Sequence, residues 1–304
     1  MDVVVTILEF KNYLSSCGYA ARTVASYRDN LAPFVAYLED QGIDDLRKVT
    51  TPIIEAYQHQ VMATALAAES KALRLRPVKR LFEYLVSCHK LLINPAEAIV
   101  ETNRKHHRIG PVLTLEEVKK LLAQPNLSLR PHIRNRAVME VLYATGMRID
   151  ELVNLEVYHV DLTDKVIFIR KAKGRKQRVV PLSAPAVKFL REYLEKIRPW
   201  WARKSPKQRR LFLNHFGEPM TGDNVRTFLR RYRIAAGIKK TVSPHTIRRT
   251  CATHMLAAGA DIRYVQKLLG HKHLRTTQLY TKVMPIDVKQ THNQTHPGVK
   301  DDEN

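Results

Sequence analysis

Apolar residues recur at helical spacing through the first hundred positions of the chain. Two periodic blocks, 7–14 and 24–38, are separated by a turn signal at Gly18, so they predict two helices. Further periodic blocks follow around 51–68 and 72–88, and the first of these opens with Thr-Pro, a common helix start. The pattern predicts that this part of the chain is entirely helical.

A polar and basic stretch follows the helical blocks. Residues 101–111 end in a Gly-Pro pair and are typical of an exposed linker. Beyond them, Thr114 is placed to cap a helix, and Glu117, three residues on, completes a capping box. We therefore expect one helical domain over residues 1–100, a basic linker, and a second domain over 112–290.

The second domain is predicted to combine helices with one β-hairpin. Two β-branched runs, 165–170 and 178–182, flank the basic stretch 171–177, which would form the tip of the hairpin. The polar end of the chain, 291–304, is predicted to be a frayed tail. The expected fold class is mainly α (α+β). Helical periodicity covers blocks at about 130–155, 184–198, 223–236, 244–258, 262–269 and 276–283.

Charge points to a polyanionic partner. Lys and Arg number 51 against 29 Asp and Glu, and the formal net charge of +22 is far beyond what solubility requires. No stretch approaches the roughly 18 apolar residues of a membrane span, so we expect no membrane insertion. Asp2 stands where a secretory signal would carry a basic residue, and the three cysteines are scattered, so we expect a cytoplasmic protein.

A candidate anion site opens the helix block at 244–258. Ser243 is placed as its N-cap and Pro244 at its first position, where the missing N–H of proline costs nothing. His245 and Arg248 lie three residues apart and would share one face near the helix N-terminus, a favourable place for phosphate. In isolation, such a pair is more often an ordinary surface His and Arg.

Two further blocks carry polar residues at helix ends. A helix capped by Asp261 and stopped by Gly270 would fix His271 at its end, and Tyr280 follows nine residues later in a short helix. Arg148 lies in an otherwise apolar helical run. A buried arginine needs a partner, which would be either an acidic neighbour or a bound anion.

Taken together, these blocks resemble the tyrosine recombinase, or phage integrase, family, and within it the compact Xer-like members. The helical first domain likewise resembles the family's core-binding (SAM-like) DNA-binding domain. Each motif alone is weak, but their order and context are specific. The resemblance is carried by Ala144-Thr-Gly-Met-Arg-Ile-Asp-Glu-Leu152, Lys173-Gly174, His245-x-x-Arg248, Leu268-Leu-Gly-His271 and Tyr280-Thr281.

The resemblance implies a role for each matching residue. Tyr280 would attack the scissile phosphate, Arg148 and Arg248 would clamp it, and His245 and His271 would hydrogen-bond it. Guanidinium groups suit that task because their paired N–H groups match phosphate oxygens. A phenol with a pKa of about 10 needs a base to become nucleophilic at neutral pH, and His245 is the preferred candidate.

The resemblance also implies that Lys173, in the predicted hairpin tip, protonates the departing 5′ oxygen. The family commonly has Gly-Lys-Gly here, whereas this chain has Ala172-Lys173-Gly174, so the choice of lysine stays open. The other basic residues of the hairpin would anchor DNA phosphates. These residues, with those of the linker, form the predicted DNA-binding set: Lys171, Arg175, Lys176 and Arg178, and Arg104, Lys105 and Arg108.

Glu151 matches an acidic position of the family that orients the first arginine, although a simple helix ion pair three residues apart explains it nearly as well. The cysteine and histidines at 251, 254, 271 and 273 match no standard zinc spacing. The resemblance implies chemistry without a metal, a cofactor or ATP, because a 3′-phosphotyrosine keeps the energy of the phosphodiester bond.

The implied function is site-specific DNA recombination, in chromosome or plasmid dimer resolution or in mobile-element integration and excision. The expected partner is double-stranded DNA with an inverted-repeat core site in the bacterial nucleoid, bound by a homotetramer on two duplexes or together with a second recombinase. Two alternatives remain, a catalytically silent DNA-binding relative and a topoisomerase-like enzyme. The segment 283–295 favours recombination because it resembles the part that recombinases dock onto a neighbouring subunit.

Overall fold

The computed structural model describes residues 1–99, 110–170 and 177–270. The chain divides into two compact units, Met1–His107 and Arg108–Asn304. The expected fold class is confirmed, since both units are mainly helical and one small antiparallel sheet lies in the second. Among the described residues, no helix combines the length and the apolar character that crossing a bilayer requires.

The described part of the first unit contains four α-helices, as the apolar spacing predicts. Its core contains the fully buried rings of Phe34, Tyr57 and Phe82, and Phe34 packs edge to face with the other two at centroid distances of 4.9 and 6.2 Å. Such pairs add to the free energy gained from burying their apolar area. The helices are α1 (Val3–Ser16), α2 (Ala21–Asp40), α3 (Thr51–Ala63) and α4 (Ala68–Ser87).

The helices of the second unit surround a separate apolar core. The predicted capping box is confirmed at the start of its first helix, where Thr114 and Glu117 each accept a hydrogen bond from the other's backbone N–H. A π-helical turn, Tyr193–Ile197, joins two of the helices. In the described part, the helices are α5 (Leu115–Ala123), α6 (Arg130–Thr145), α7 (Ile149–Val153), α8 (Ala184–Glu192), α9 (Arg198–Ala202), α10 (Gly222–Ala235), α11 (Pro244–Ala257) and α12 (Ile262–Leu269).

The predicted β-hairpin is confirmed, and a third strand joins it. Strands β1 (Val160–Asp161), β2 (Val166–Ile169) and β3 (Arg178–Pro181) pair antiparallel in the order β1-β2-β3. The prediction omitted β1, because two residues are too few to display strand alternation. Ile169 pairs with Arg178 at the end of the ladder that leads to the hairpin tip.

The predicted continuous helix over 130–155 is wrong, because the structure breaks it in two. Gly146 ends α6 in the left-handed conformation, with φ +57°, and Arg148 is the N-cap of α7. Only glycine adopts this conformation without steric cost. A Cβ at this position would also lie 2.6 Å from Cδ2 of Leu269, at the end of α12. The break therefore lets α6 and α12 approach closely beside Arg148.

Candidate active site

Helix α11 begins as the sequence predicts. Ser243 Oγ accepts a hydrogen bond of 3.1 Å from the Thr246 backbone N–H, and Pro244 occupies the first turn. The pair predicted to share a face differs in exposure, since His245 is exposed and Arg248 is buried at 4 % relative accessibility. The helix therefore presents the imidazole outward and sends the guanidinium into the unit.

Arg248 ties together the ends of two other helices. Its Nη1 donates to the Gly146 carbonyl oxygen at 2.6 Å, and its Nη2 donates to the Leu269 carbonyl oxygen at 2.8 Å. Carbonyls at helix ends lack partners within the helix, and a buried one without a partner is costly. Arg248 satisfies both and so fixes its own guanidinium plane between α6 and α12.

Arg148 is held differently and remains more open. Its backbone N–H donates to Glu151 Oε2 at 2.9 Å, and its Nη1 lies 3.4 Å from Glu151 Oε1. Its side chain keeps 35 % of its accessible surface. Arg148 therefore sits at the surface of the break between α6 and α7, where an anion from solution can reach it.

Glu151 holds more than one arginine. Arg178, on β3, donates from Nη1 to Oε1 at 2.9 Å and from Nη2 to Oε2 at 2.7 Å. Burial alone would raise the pKa of Glu151, but these bonds and the one from the Arg148 backbone hold that pKa at about 2. Glu151 is thus an ionised carboxylate that binds both Arg148, at the start of α7, and Arg178, on β3. The sequence spacing indicates only the local pair with Arg148.

Arg178 also reaches the end of α12. Its Nε donates to the Leu268 carbonyl oxygen at 2.8 Å, and its side chain keeps 10 % of its accessible surface. The sequence-based hypothesis assigned this residue to DNA phosphates. Its contacts are instead with a carboxylate and a carbonyl of the protein.

His245 lies in a positively charged environment. Although the residue is exposed overall, partial desolvation of its imidazole lowers the pKa of His245, and the guanidinium groups of Arg248, Arg249, Arg148 and Arg226 lower it further. The imidazole is therefore neutral at neutral pH and can accept a proton. Sequence reasoning did not select Arg226 or Arg249, because a chain with 51 basic residues gives no local signal that separates these two from the rest.

The segment that enters the second unit is fastened to α11, a feature that sequence reasoning also missed. The Leu113 backbone N–H donates to the buried Thr250 Oγ1 at 3.0 Å, and its carbonyl oxygen lies 2.9 Å from His254 Nε2. A carbonyl only accepts, so Nε2 carries the proton and Nδ1 accepts from the Tyr143 hydroxyl at 2.8 Å. Burial lowers the pKa of His254, which favours this neutral form.

Both ends of α12 form as the sequence predicts. Asp261 Oδ1 accepts from the backbone N–H groups of Arg263 and Tyr264, and Gly270 ends the helix at φ +64°. Several predicted site residues lie outside the described residues. These are His271, Tyr280, Lys173, the hairpin residues Lys171, Arg175 and Lys176, and the linker residues Arg104, Lys105 and Arg108.

Comparison with known proteins places this chain in a family. Residues 111–285 match the model of the phage integrase family, and residues 7–89 match the model of the phage integrase N-terminal SAM-like domain. The chain belongs to the phage integrase family, the tyrosine recombinases. The resemblance stated from the motifs is thereby confirmed.

Relatives of this recombinase match over nearly its whole length. It is 35 % identical over 287 residues to tyrosine recombinase XerC 2 of Ralstonia nicotianae, covering 92 % of this chain and 82 % of that protein. It is 32 % identical over 293 residues to tyrosine recombinase XerD of Staphylococcus epidermidis, covering 96 % and 98 %. The Xer-like character expected from the motifs is thus confirmed.

Solved structures share the fold. A λ integrase dimer bound to a COC′ core site aligns with a TM-score of 0.72 at 19 % identity, over 92 % of this chain and 77 % of that one. The XerH recombinase bound to its difH substrate aligns with a TM-score of 0.69 at 24 % identity, over 85 % and 76 %. XerA recombinase aligns with a TM-score of 0.53 at 28 % identity, over 96 % and 98 %.

Proposed function

We propose that this recombinase cleaves and rejoins duplex DNA through a covalent bond between Tyr280 and a backbone phosphate. The observation that carries the proposal is the convergence of Arg148, His245 and Arg248. Arg148 and Arg248 are fixed by separate backbone or carboxylate contacts around the break between α6 and α7. Both guanidinium groups lie close enough to His245 to lower its pKa. Neither a silent DNA-binding relative nor a topoisomerase receives support from the comparisons, whose curated matches are named as tyrosine recombinases.

In this proposal, arginines supply the charge that the reaction requires. When an oxygen attacks phosphorus, negative charge spreads over the non-bridging oxygens, and preorganised guanidinium groups stabilise it. Arg148, which keeps a third of its surface, would make the outer contact. The buried charge of Arg248 and the N-terminus of α11 would stabilise the phosphate from the protein side, since a helix N-terminus favours an anion.

Protons would move in two places. Neutral His245 would accept the Tyr280 phenol proton while the phenolate oxygen bonds to phosphorus and the bond to the 5′ oxygen breaks. Lys173 would donate a proton to the departing 5′ oxygen, and His271 would hydrogen-bond the phosphate. The product is a 3′-phosphotyrosine and a free 5′ hydroxyl. Attack by a 5′ hydroxyl of a partner strand reverses the step, without ATP and without a metal.

The assembly belongs to the same proposal. One structural relative is a λ integrase tetramer bound to a Holliday junction, which supports a tetrameric assembly here. In our proposal the tetramer holds two duplexes, each with an inverted-repeat core site. We place the reaction in the bacterial cytoplasm, on nucleoid DNA, in dimer resolution or in the movement of a mobile element. The remaining predicted anchors, in the linker and at the hairpin tip, would hold the flanking phosphates.

A suicide substrate tests the reaction directly. A nicked duplex carrying candidate sites from the protein's own genomic neighbourhood is incubated with wild type and with Tyr280→Phe. A covalent protein–DNA adduct on a denaturing gel with wild type alone would establish both the reaction and the nucleophile. Site-specific binding without an adduct would favour the silent relative. An adduct that persists in Tyr280→Phe would refute the assignment of Tyr280.

A further inference from the structure

We propose that Arg178 is a positioning residue for strand cleavage, and that it acts on the protein through Glu151 and Leu268 and not on DNA. The proposal rests on the proposed function, because it concerns how Arg148 and the end of α12 are set for that reaction.

The contacts of Arg178 engage all three of its guanidinium nitrogens. Two donate to the two oxygens of Glu151 in a fork-to-fork arrangement, and Nε donates to the Leu268 carbonyl. A paired geometry of this kind is both strong and directional. Its donors are therefore turned toward acceptors of the protein, and only 10 % of the Arg178 side chain is exposed.

Glu151 transmits the effect to Arg148. Its Oε2 accepts from both Arg178 Nη2 and the Arg148 backbone N–H, at 2.7 and 2.9 Å. Its contact with the Arg148 guanidinium is longer, at 3.4 Å. Because Arg178 neutralises the Glu151 carboxylate, Glu151 holds the Arg148 guanidinium only loosely. Without Arg178, the buried carboxylate would have Arg148 as its nearest cation and would draw it inward, away from a phosphate.

The contact with Leu268 sets a second part of the site. Arg178 and Arg248 hold the carbonyls of Leu268 and Leu269, which are adjacent at the end of α12. The chain continues from this point to His271 and Tyr280. Arg178 therefore contacts both Glu151, which positions Arg148, and the end of α12, from which the chain leads to the predicted nucleophile.

The test separates positioning from DNA contact with three variants of the full chain. Arg178→Gln removes the pairing, Arg178→Gln with Glu151→Gln also removes the unpaired carboxylate, and Arg178→Lys keeps the charge but cannot span three acceptors. Arg170→Gln is the matched control. It removes a charge from the same hairpin, where Arg170 is exposed and lies beside the Tyr158 ring.

Two quantities are measured, the single-turnover rate of adduct formation at saturating protein and the DNA affinity as a function of salt. We expect Arg178→Gln to lower the rate by about tenfold to a hundredfold, because small misplacements at a reacting centre have effects of that size. The salt slope should stay unchanged, whereas loss of a phosphate anchor reduces it by about one. The double variant should cleave faster than Arg178→Gln.

Faster cleavage by the double variant than by Arg178→Gln is the result that a merely structural role of Arg178 would not produce. If the salt slope falls by about one in Arg178→Gln, Arg178 binds DNA and the proposal is overturned. A double variant that cleaves more slowly than the single one overturns it as well. If Arg178→Gln does not fold, Arg178→Lys takes its place. It keeps the charge but cannot hold both Glu151 oxygens and the Leu268 carbonyl, so it should still slow cleavage, and a wild-type rate in this variant would overturn the proposal. If wild type forms the covalent adduct, the proposed function holds, and a variant result against these expectations then refutes only the positioning role of Arg178.

Discussion

The guanidinium of Arg248 donates a hydrogen bond of 2.6 Å to the carbonyl oxygen of Gly146, 102 positions earlier in the chain. The bond joins two of the motifs from which the family resemblance is stated. It also explains why a glycine precedes Arg148, since the left-handed turn at Gly146 ends α6 where Arg248 can reach it. The glycine and both arginines thus form one unit.

Replacement of Gly146 by alanine should damage both stability and cleavage. A Cβ in the left-handed conformation costs about 1–2 kcal/mol, and here the added atom would also lie 2.6 Å from Leu269 Cδ2. Overpacking adds about 1–3 kcal/mol. Urea unfolding should therefore show a loss of about 2–5 kcal/mol. Gly237→Ala is the control, because Gly237 has φ +66° with no atom within 4 Å of its Cβ position. Equal losses in the two variants would rule out the contact with Leu269.

The acid stability of the protein should depend on Glu151. Its pKa is about 2 in the folded state against an ordinary value of 4.5, so its contribution is complete above pH 4.5 and is lost as the pH falls toward 2. The shift corresponds to about 3 kcal/mol. The difference in unfolding free energy between wild type and Glu151→Gln should shrink by about that amount across this range. A difference that stays constant with pH would contradict an ionised, paired carboxylate.

Cleavage should tolerate mild acid because of His245. Its pKa lies below the ordinary 6.5, and protonation removes its ability to accept the phenol proton. The single-turnover rate should therefore fall on an acid limb whose midpoint lies below pH 6.5. In His245→Asn, which keeps a hydrogen-bonding side chain without that titration, the residual rate should lack this limb. An unchanged limb in the variant would assign it to another group.

Two threonines on α11 should respond oppositely to valine. Thr250→Val leaves the buried Leu113 N–H without its acceptor, at a cost of about 1–3 kcal/mol. Thr253 Oγ1 is buried without a hydrogen-bond partner among the described residues, so Thr253→Val should be neutral or stabilising. Thermal unfolding of the two variants checks the difference. If both lower the melting temperature equally, the Leu113 contact contributes nothing specific.

Local signals predicted the parts of this fold that local chemistry decides. The capping box at Thr114, the N-cap at Ser243 and the glycine stop at Gly270 each need only neighbouring residues, and all three are confirmed. The break at Gly146 was missed, because the apolar residues around it fit a continuous helix. The Leu269 side chain, which leaves no room for a Cβ at this position, lies far along the chain.

Site contacts between distant residues were beyond the sequence for the same reason. Arg178 lies in a hairpin of basic residues, and nothing in its spacing distinguishes a residue that pairs with Glu151, 27 positions away, from one that faces DNA. The family resemblance supplied the identities of the reacting residues. It did not supply the two backbone carbonyls that hold Arg248.

The hydrogen bonds of Leu113 with Thr250 and His254 determine where a truncated fragment of the second unit should begin. A fragment beginning at Leu115 would keep all the described helices of that unit but would leave Thr250 and His254, both on α11, without the backbone groups that they bind. A fragment beginning at Gly110 would retain those groups and also Pro111, whose carbonyl oxygen lies 3.4 Å from Arg249 Nη1. A fragment of the second unit that preserves these contacts therefore starts several residues before α5.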